Sequence, residues 1–177
     1  MNADYKTTHS DIVYRGKLVD ILHDTVTLPN GRSAFREVVR HPGGAAVLPI
    51  DPGGNLVLIR QYRHPLGGLT LEIPAGMLNP GETHQECATR ELEEEIGYRA
   101  ASVSPLVSIS PSPGYLREEI RVFLATELVA SAQNLDEEEI IDIETYTLDE
   151  AVTKVFDGTI TDAKTVAAIL AYKAKIK

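Results

Sequence analysis

The sequence predicts an α+β fold in which a mixed β-sheet lies between helices. Strand-like runs fill most of the chain, one helix interrupts them, and two further helices close it. Because strands and helices do not alternate regularly, the pattern favours an α+β arrangement or a mixed-sheet α/β sandwich. With 177 residues, 43% of them hydrophobic, the chain can bury the core of one folding unit.

The first part of the chain is predicted to be rich in antiparallel strands. Runs at 25–28 and 33–40 flank the residues Pro29-Asn30-Gly31-Arg32. An Asn-Gly pair readily adopts the positive φ angles that a tight hairpin requires. This segment has no obvious partner in the remainder of the chain, so we divide the sequence into residues 1–42 and residues 43–177.

The second part begins with two apolar runs, at 43–50 and 55–63, on either side of a turn at Asp51-Pro52-Gly53-Gly54. They are predicted to form a second hairpin, more buried than the first. The same patterns predict the remaining elements: strands at 71–74, 102–110, 120–128 and 140–147, and helices at 148–156 and from about 161 onward.

Charge and cysteine content exclude several classes of partner. The formal net charge is −9 and the sequence pI is about 5.0, so no global positive field would hold nucleic acid or an anionic membrane. The apolar runs are too short to cross a bilayer. Cys87 is the single cysteine, and the start of the sequence has no signal-peptide or anchor pattern. We therefore expect a cytoplasmic location.

An acidic helix, predicted at about 84–96, is the clearest functional motif. Thr83 and Glu86 have the spacing of a capping box, and Gly97 suits the left-handed position after the last turn. The helix carries three glutamates at positions i, i+3 and i+4, which therefore share one face: Glu91, Glu94 and Glu95.

Three carboxylates on one face repel one another, and the C-terminal half of a helix disfavours negative charge. A hard divalent cation would reverse this effect. Mg²⁺ takes carboxylate oxygens and keeps other positions for waters or phosphate oxygens. The cluster is thus interpreted as a metal site; the alternative is an ordinary solvated acidic surface.

The wider spacing around this helix resembles the Nudix box. Its fixed positions are Gly76, Glu82, Arg90-Glu91-Leu92, Glu94-Glu95, Gly97 and Tyr98. All match except the last, where Tyr98 replaces the usual bulky aliphatic residue, a departure that affects packing more than chemistry. The chain is therefore identified as a member of the Nudix hydrolase superfamily, which implies an α/β/α Nudix sandwich.

The resemblance implies an enzyme that cleaves a nucleoside diphosphate linked to another group, with Mg²⁺ or Mn²⁺ as cofactor. It implies metal ligands at Glu91, Glu94 and Glu95 and at the backbone carbonyl of Ala75. Arg90 is expected to support catalysis by orienting a helix glutamate.

A segment after the box, SPSPGYLREE, contains Pro113, Gly114 and Glu118. The sequence of this segment and its position after the box resemble those of the ADP-ribose pyrophosphatase branch of the superfamily. The resemblance implies that the three residues contact substrate. An ordinary turn before a strand is the alternative. The run LIRQYRHP is similar to a strand of the same branch in which arginines face the diphosphate.

Arg60 and Arg63 stand three apart, so a regular strand would point them to opposite faces. We favour Arg63 as the substrate contact. Arg36 and Arg40 share a face of the N-terminal strand, and the resemblance implies substrate contacts there, often across a dimer interface.

The acidic run Leu135-Asp136-Glu137-Glu138-Glu139 precedes a predicted strand. By composition it is a solvated charge run, but the ADP-ribose branch carries a catalytic glutamate and a further metal ligand on a similarly placed loop. The resemblance therefore implies Glu137 as general base and Glu139 as ligand. Glu94 is the competing candidate for the base.

Together these observations predict a homodimeric ADP-ribose diphosphatase that produces AMP and ribose 5-phosphate. A nucleotide-sugar diphosphatase acting on GDP-mannose or a UDP-sugar is the first alternative. A Nudix-like module that binds ADP-ribose without hydrolysis is the second. The predicted partner in each case is a small-molecule nucleoside diphosphate sugar.

Overall fold

The computed structural model describes residues 4–176. The predicted division into residues 1–42 and 43–177 also covers positions 1–3 and 177, which lie outside the described residues. The strands are β1 Lys6–Arg15, β2 Asp20–Thr27, β3 Ser33–Arg40, β4 Gly44–Pro49, β5 Leu56–Arg63, β6 Gly68–Glu72, β7 Ala75–Met77, β8 Tyr98–Ile109, β9 Leu116–Arg117, β10 Ile120–Ala130 and β11 Ile141–Tyr146. The helices are α1 His84–Ile96, α2 Leu148–Phe156 and α3 Ala163–Lys175.

The chain folds into two compact units. The first unit consists of the residues up to Gly43 together with the segment Ser110–Glu119. The second unit consists of Gly44–Ile109 together with the residues from Ile120 onward. The segment that carries Pro113 and Glu118 thus belongs with the N-terminal strands.

The first unit is a four-stranded sheet in the order β1-β2-β3-β9. β1, β2 and β3 are antiparallel neighbours, and β9 lies parallel to β3. The predicted hairpin is confirmed: β2 and β3 pair from Thr27–Ser33 onward, and Gly31, with a φ of 79°, donates its N–H to the Leu28 carbonyl.

The second unit contains two sheets, in the orders β7-β4-β10-β8 and β11-β5-β6. The predicted hairpin between the runs at 43–50 and 55–63 is wrong. β4 pairs with β10 in parallel and with β7, while β5 pairs with β11 and β6. A single bridge between Ile50 and Leu56 joins the two runs. Both strands are buried on both faces, so their sequences are continuous apolar runs. Such runs do not indicate which strand is the pairing partner.

The strand predicted at 71–74 also begins and ends earlier than expected. β6 ends at Glu72, because the N–H of Ile73 donates to the Thr165 side chain instead of to a neighbouring strand. Pro74 has no N–H to donate.

Two apolar clusters cover opposite faces of β4 and β5. One includes Leu48, Leu56 and Leu58 and packs against α2 and α3 through Ala151 and Ile169. The other includes Val47, Val57 and Ile59 and packs against α1 through Leu92 and Ile96. The predicted α+β sandwich of mixed sheets and helices is therefore confirmed. Among residues 4–176, no helix is long and apolar enough to span a bilayer.

Candidate functional site

The acidic helix α1 has the predicted boundaries. The Thr83 hydroxyl accepts a hydrogen bond from the Glu86 N–H, and the Glu86 carboxylate accepts one from the Thr83 N–H, which completes the capping box. Gly97 ends the helix with a φ of 68°, in the left-handed region. These local contacts set where the helix begins and ends.

The carboxylates of α1 differ in their exposure. Glu91 and Glu95 are buried with relative exposures of 8% and 2%, whereas the Glu94 side chain is about one-third exposed. Cys87, on the apolar side of the helix, is fully buried, and burial raises the pKa of its thiol to about 11. It is a core residue with no thiolate to act as a nucleophile.

Arg90 connects the carboxylates on the solvent side of α1. Its Nη1 donates to Glu91 Oε1 at 2.7 Å and to Glu94 Oε2 at 2.8 Å. Its Nε donates to Glu82 Oε1 at 2.8 Å, and its Nη2 also donates to the Met77 carbonyl. The guanidinium therefore orients two of the three predicted metal ligands on α1.

Glu95 is the most deeply buried carboxylate of the site. Burial, together with the charges of Glu91 and Glu139, raises its pKa to about 9, although the Ala75 N–H and the Arg63 charge act in the opposite direction. The Ala75 N–H donates to Glu95 Oε2 at 3.1 Å. A carboxylate in this position is stabilised by a nearby cation.

Gly76 allows β7 to lie directly against Glu91. A Cβ atom at position 76 would stand 1.7 Å from Glu91 Oε1, far inside van der Waals contact. The glycine is therefore required by the close approach of this carboxylate to the backbone.

The acidic loop between β10 and β11 comes close to α1. Glu139 is half-buried, and its charge acts on both Glu91 and Glu95 to raise their pKa values. Glu137 is exposed. The segment before the loop is tied to the C-terminal end of α1, where the Asn134 N–H donates to the Glu94 carbonyl and Gln133 Nε2 to that of Glu95.

The donor set fits a hard divalent cation. Among residues 4–176, no three His, Cys, Asp or Glu side chains converge as a preformed cation site, and Arg90 binds the carboxylates of Glu91 and Glu94. Even so, a buried, charge-destabilised Glu95 beside further carboxylates is the oxygen-rich environment that Mg²⁺ or Mn²⁺ prefers. The ligand set Glu91, Glu94, Glu95, Glu139 and the Ala75 backbone carbonyl stays a prediction.

Arg63 belongs to a buried ion-pair network. Its Nε and Nη2 donate to the two oxygens of Glu72 at 2.9 and 2.8 Å, and Lys164 on α3 also binds Glu72. The charges of Arg63 and Glu95 act on each other. Arg60 lies on the other side of β5 and pairs with Glu144. The sequence analysis missed Glu72 and Lys164, because two single charged residues far apart in the chain form no local motif that predicts an ion pair.

The other predicted substrate contacts lie in the first unit. Arg40 donates to Asp20 at 2.5 Å, and Glu118 lies 3.1 Å from the His41 Nδ1. Arg36 is exposed and donates to the Phe35 carbonyl. Pro113 and Gly114 form a turn that the Leu116 N–H closes by donating to the Ser112 carbonyl.

A groove of about 680 Å³ runs between the exposed side of α1 and the segment leading into the acidic loop. Arg90 and Glu94 line it, together with Thr83, Gln85, Glu86, Thr89, Glu93, Ala132 and Asn134. Its volume suits a ligand of nucleotide size. An α+β sandwich with a carboxylate-bearing helix, a nearby arginine and such a groove defines the class of metal-dependent hydrolases of phosphate anhydrides.

The family follows from comparison with known proteins. The NUDIX domain family matches residues 40–169, so the chain belongs to this family and is a Nudix hydrolase. It is 40% identical over 170 residues to the ADP-ribose pyrophosphatase of Bacillus subtilis (strain 168), covering 95% of this chain and 92% of that protein.

Two further similarities extend over nearly the whole chain. The methanol dehydrogenase activator of Bacillus methanolicus is 42% identical over 166 residues, covering 93% of this chain and 90% of that protein. A crystal structure of an ADP compounds hydrolase superposes with a TM-score of 0.85 at 24% identity, covering 97% of this chain and 94% of that one. The predicted resemblance to the Nudix superfamily and its ADP-ribose pyrophosphatase branch is therefore confirmed.

Proposed function

We propose that the protein is an ADP-ribose diphosphatase that uses Mg²⁺ to hydrolyse the diphosphate bond, giving AMP and ribose 5-phosphate. The observation that carries the proposal is the group of carboxylates around buried Glu95, with the guanidinium of Arg63 close enough for their charges to act on each other. The similarity to a protein named ADP-ribose pyrophosphatase supports this choice of substrate.

In this proposal the chain supplies the metal ligands and a cation for the substrate. Glu91, Glu94, Glu95, Glu139 and the Ala75 carbonyl hold Mg²⁺, with Mn²⁺ as a substitute. The bound ion neutralises charge on the diphosphate and lowers the pKa of a water. Arg63 contacts the diphosphate, and Arg90 orients Glu91 and Glu94 through its two hydrogen bonds.

We assign the general base to Glu137, with Glu94 as the competing residue. Glu137 is exposed on the loop that carries Glu139 and can reach a water when the loop closes. Glu94 lines the groove beside Arg90, but that arginine already donates a hydrogen bond to its carboxylate.

We further propose that Arg36, Arg40, Pro113, Gly114 and Glu118 contact substrate, and that residues 1–42 form a dimerisation segment before a Nudix domain at 43–177. The outer strand of the first sheet supports a homodimer, because β1 is a long, exposed edge with two large apolar side chains, Val13 and Tyr14. We place the enzyme in the cytoplasm, where Cys87 stays reduced.

A chromatographic product assay tests the function. Purified protein is incubated with ADP-ribose, GDP-mannose, UDP-glucose or diadenosine polyphosphates, each with Mg²⁺ and with chelator. The expected result is fastest cleavage of ADP-ribose to AMP and ribose 5-phosphate, abolished by chelator. Faster cleavage of GDP-mannose or UDP-glucose would replace the proposal with a nucleotide-sugar diphosphatase, and binding without cleavage would replace it with a non-catalytic ADP-ribose-binding module.

A further inference from the structure

Gln61 on β5 contains a buried polar atom without a partner. The residue is 9% exposed, and its side-chain Oε1 has no hydrogen bond to any residue that the structure describes. Leaving a buried acceptor unpaired costs free energy, because the atom loses its hydrogen bond to water and gains none in the protein. Such atoms are rare in folded proteins and require an explanation.

The strand register places this side chain on the face of β5 that looks toward α1. Side chains two apart share a face of a strand, and Ile59 packs in the cluster that contains Leu92 and Ile96 of α1. Ile141, which lies directly opposite Gln61 on β11, packs against the same cluster.

The neighbours of Gln61 on this face are groups of the catalytic site. Arg63, two residues further on, interacts electrostatically with Glu95. Glu139 stands two residues before the cross-strand partner Ile141 and acts on Glu91 and Glu95. Gln61 therefore lies next to Arg63 on its own strand and opposite the first residue of β11, where the loop that carries Glu139 ends.

The chemistry of the unpaired atom limits what it can bind. An amide carbonyl only accepts hydrogen bonds, and phosphate oxygens are acceptors as well, so the diphosphate itself cannot satisfy it. The partner must be a hydrogen-bond donor, and an O–H group beside the diphosphate can supply one. Two sources of this group exist: a hydroxyl of the adjacent sugar, or a water bound with the diphosphate.

We propose that Gln61 is a substrate-binding residue whose buried Oε1 accepts a hydrogen bond from an O–H group held next to the diphosphate. The inference rests on the proposed function, because it takes a nucleoside diphosphate sugar as the ligand. It adds a neutral acceptor to the arginine and carboxylates already assigned to the site.

The test replaces Gln61 with methionine, which keeps the volume and removes the polar atoms. Urea unfolding measures stability without ligand. Calorimetry measures the Kd for α,β-methylene ADP-ribose and for α,β-methylene ADP, which lacks the terminal sugar, with and without Mg²⁺. The control is Leu58→Met on the opposite face of β5, which is expected to leave both affinities unchanged. Gln61→Leu serves as a second variant in case Gln61→Met folds poorly.

We expect Gln61→Met to be at least as stable as wild type, because it removes an unpaired acceptor, and to bind α,β-methylene ADP-ribose about tenfold more weakly. A loss restricted to α,β-methylene ADP-ribose identifies a hydroxyl of the terminal sugar as the donor; an equal loss for both ligands identifies a donor that both share, either a water or a hydroxyl of the adenosine ribose. Unchanged affinities for both ligands overturn the inference. If wild type itself neither binds nor cleaves ADP-ribose, the proposed function fails instead.

Discussion

At the residue scale, Glu95 shows why a helix would carry several carboxylates on one face although they repel one another. Its side chain is almost fully buried, and the charges of Glu91 and Glu139 oppose its ionisation. In a metal-free protein this arrangement costs free energy. A cation among the same oxygens would attract all three carboxylates and offset their mutual repulsion, so the proposed metal site accounts for the arrangement.

We predict that the glutamates of α1 differ sharply in their importance for turnover. Glu95→Gln and Glu94→Gln should lower kcat/KM by at least about 100-fold, since each removes a ligand charge. Glu93→Gln is the matched control, because Glu93 also lines the groove but pairs with Arg99 and Ser131 and is not a proposed metal ligand. It should stay close to wild type. Steady-state kinetics with ADP-ribose measures all three, and equal losses would mean that the wrong helix face has been assigned.

We predict that Gly76→Ala damages activity more than stability. The new Cβ would collide with the tip of the Glu91 side chain, and a flexible side chain can move away at little cost to the fold. Displacing a ligand by about an ångström is expected to cost roughly 100-fold in kcat.

Gly68→Ala is the control for this substitution, because the nearest atom to its new Cβ is 4.0 Å away. Unfolding midpoints and kcat are compared for the two variants. A Gly76→Ala enzyme with normal turnover would show that Glu91 does not need its present position.

At the scale of elements, the two capping boxes permit a matched comparison. Thr83 on α1 and Thr147 on α2 make the same pair of reciprocal hydrogen bonds with Glu86 and Glu150. Replacing either threonine with alanine should lower the free energy of unfolding by about 1 kcal/mol. Only Thr83→Ala should also lower kcat, because only α1 carries the carboxylates that we propose as metal ligands. Urea unfolding and steady-state kinetics test this, and equal kinetic effects would contradict it.

The sequence determined the helices better than the strand partners. Local signals are sufficient for α1, whose capping box and terminal glycine gave its boundaries. They are insufficient for β4 and β5, because a strand buried on both faces is an apolar run without alternation, and its neighbours β10 and β11 are distant in sequence. The prediction that the runs at 43–50 and 55–63 form a hairpin was wrong for this reason.

The site shows the same division. Glu91, Glu94 and Glu95 were recognisable from helical spacing, whereas Gln61, Glu72 and Lys164 are single polar residues within apolar or mixed segments. Their importance comes from burial and from partners such as the Glu72–Lys164 pair, which are 92 positions apart. No local pattern contains that information.

At the scale of the whole molecule, the last helix is fastened to the segment that leads into the Nudix box. The Thr165 hydroxyl accepts the Ile73 N–H, and Lys164 binds Glu72, which also receives both hydrogen bonds from Arg63. The network therefore joins α3, β5 and β6 shortly before Ala75 and Gly76. Helix α3 thus helps to hold Arg63, the arginine that we propose as a substrate contact.

This network predicts how stability depends on pH. Burial alone would raise the pKa of Glu72, but the hydrogen bond from Arg63 and the charge of Lys164 outweigh it and lower the pKa from 4.5 to about 2. Because the folded pKa lies below the unfolded value, the stabilisation is fully present above pH 4.5. It is lost as the pH falls toward 2, and it amounts to about 3 kcal/mol.

We therefore predict that Glu72→Gln flattens the acid side of the stability profile. The variant should be less stable at pH 7, since Arg63 and Lys164 lose a buried counter-charge, and its free energy of unfolding should change less between pH 4.5 and 2. Urea unfolding across this range provides the measurement. Asp149→Asn, which breaks the exposed pair with Lys173, should change the profile little. A wild-type slope in Glu72→Gln would show that other carboxylates control acid unfolding and that the Arg63 network contributes little to it.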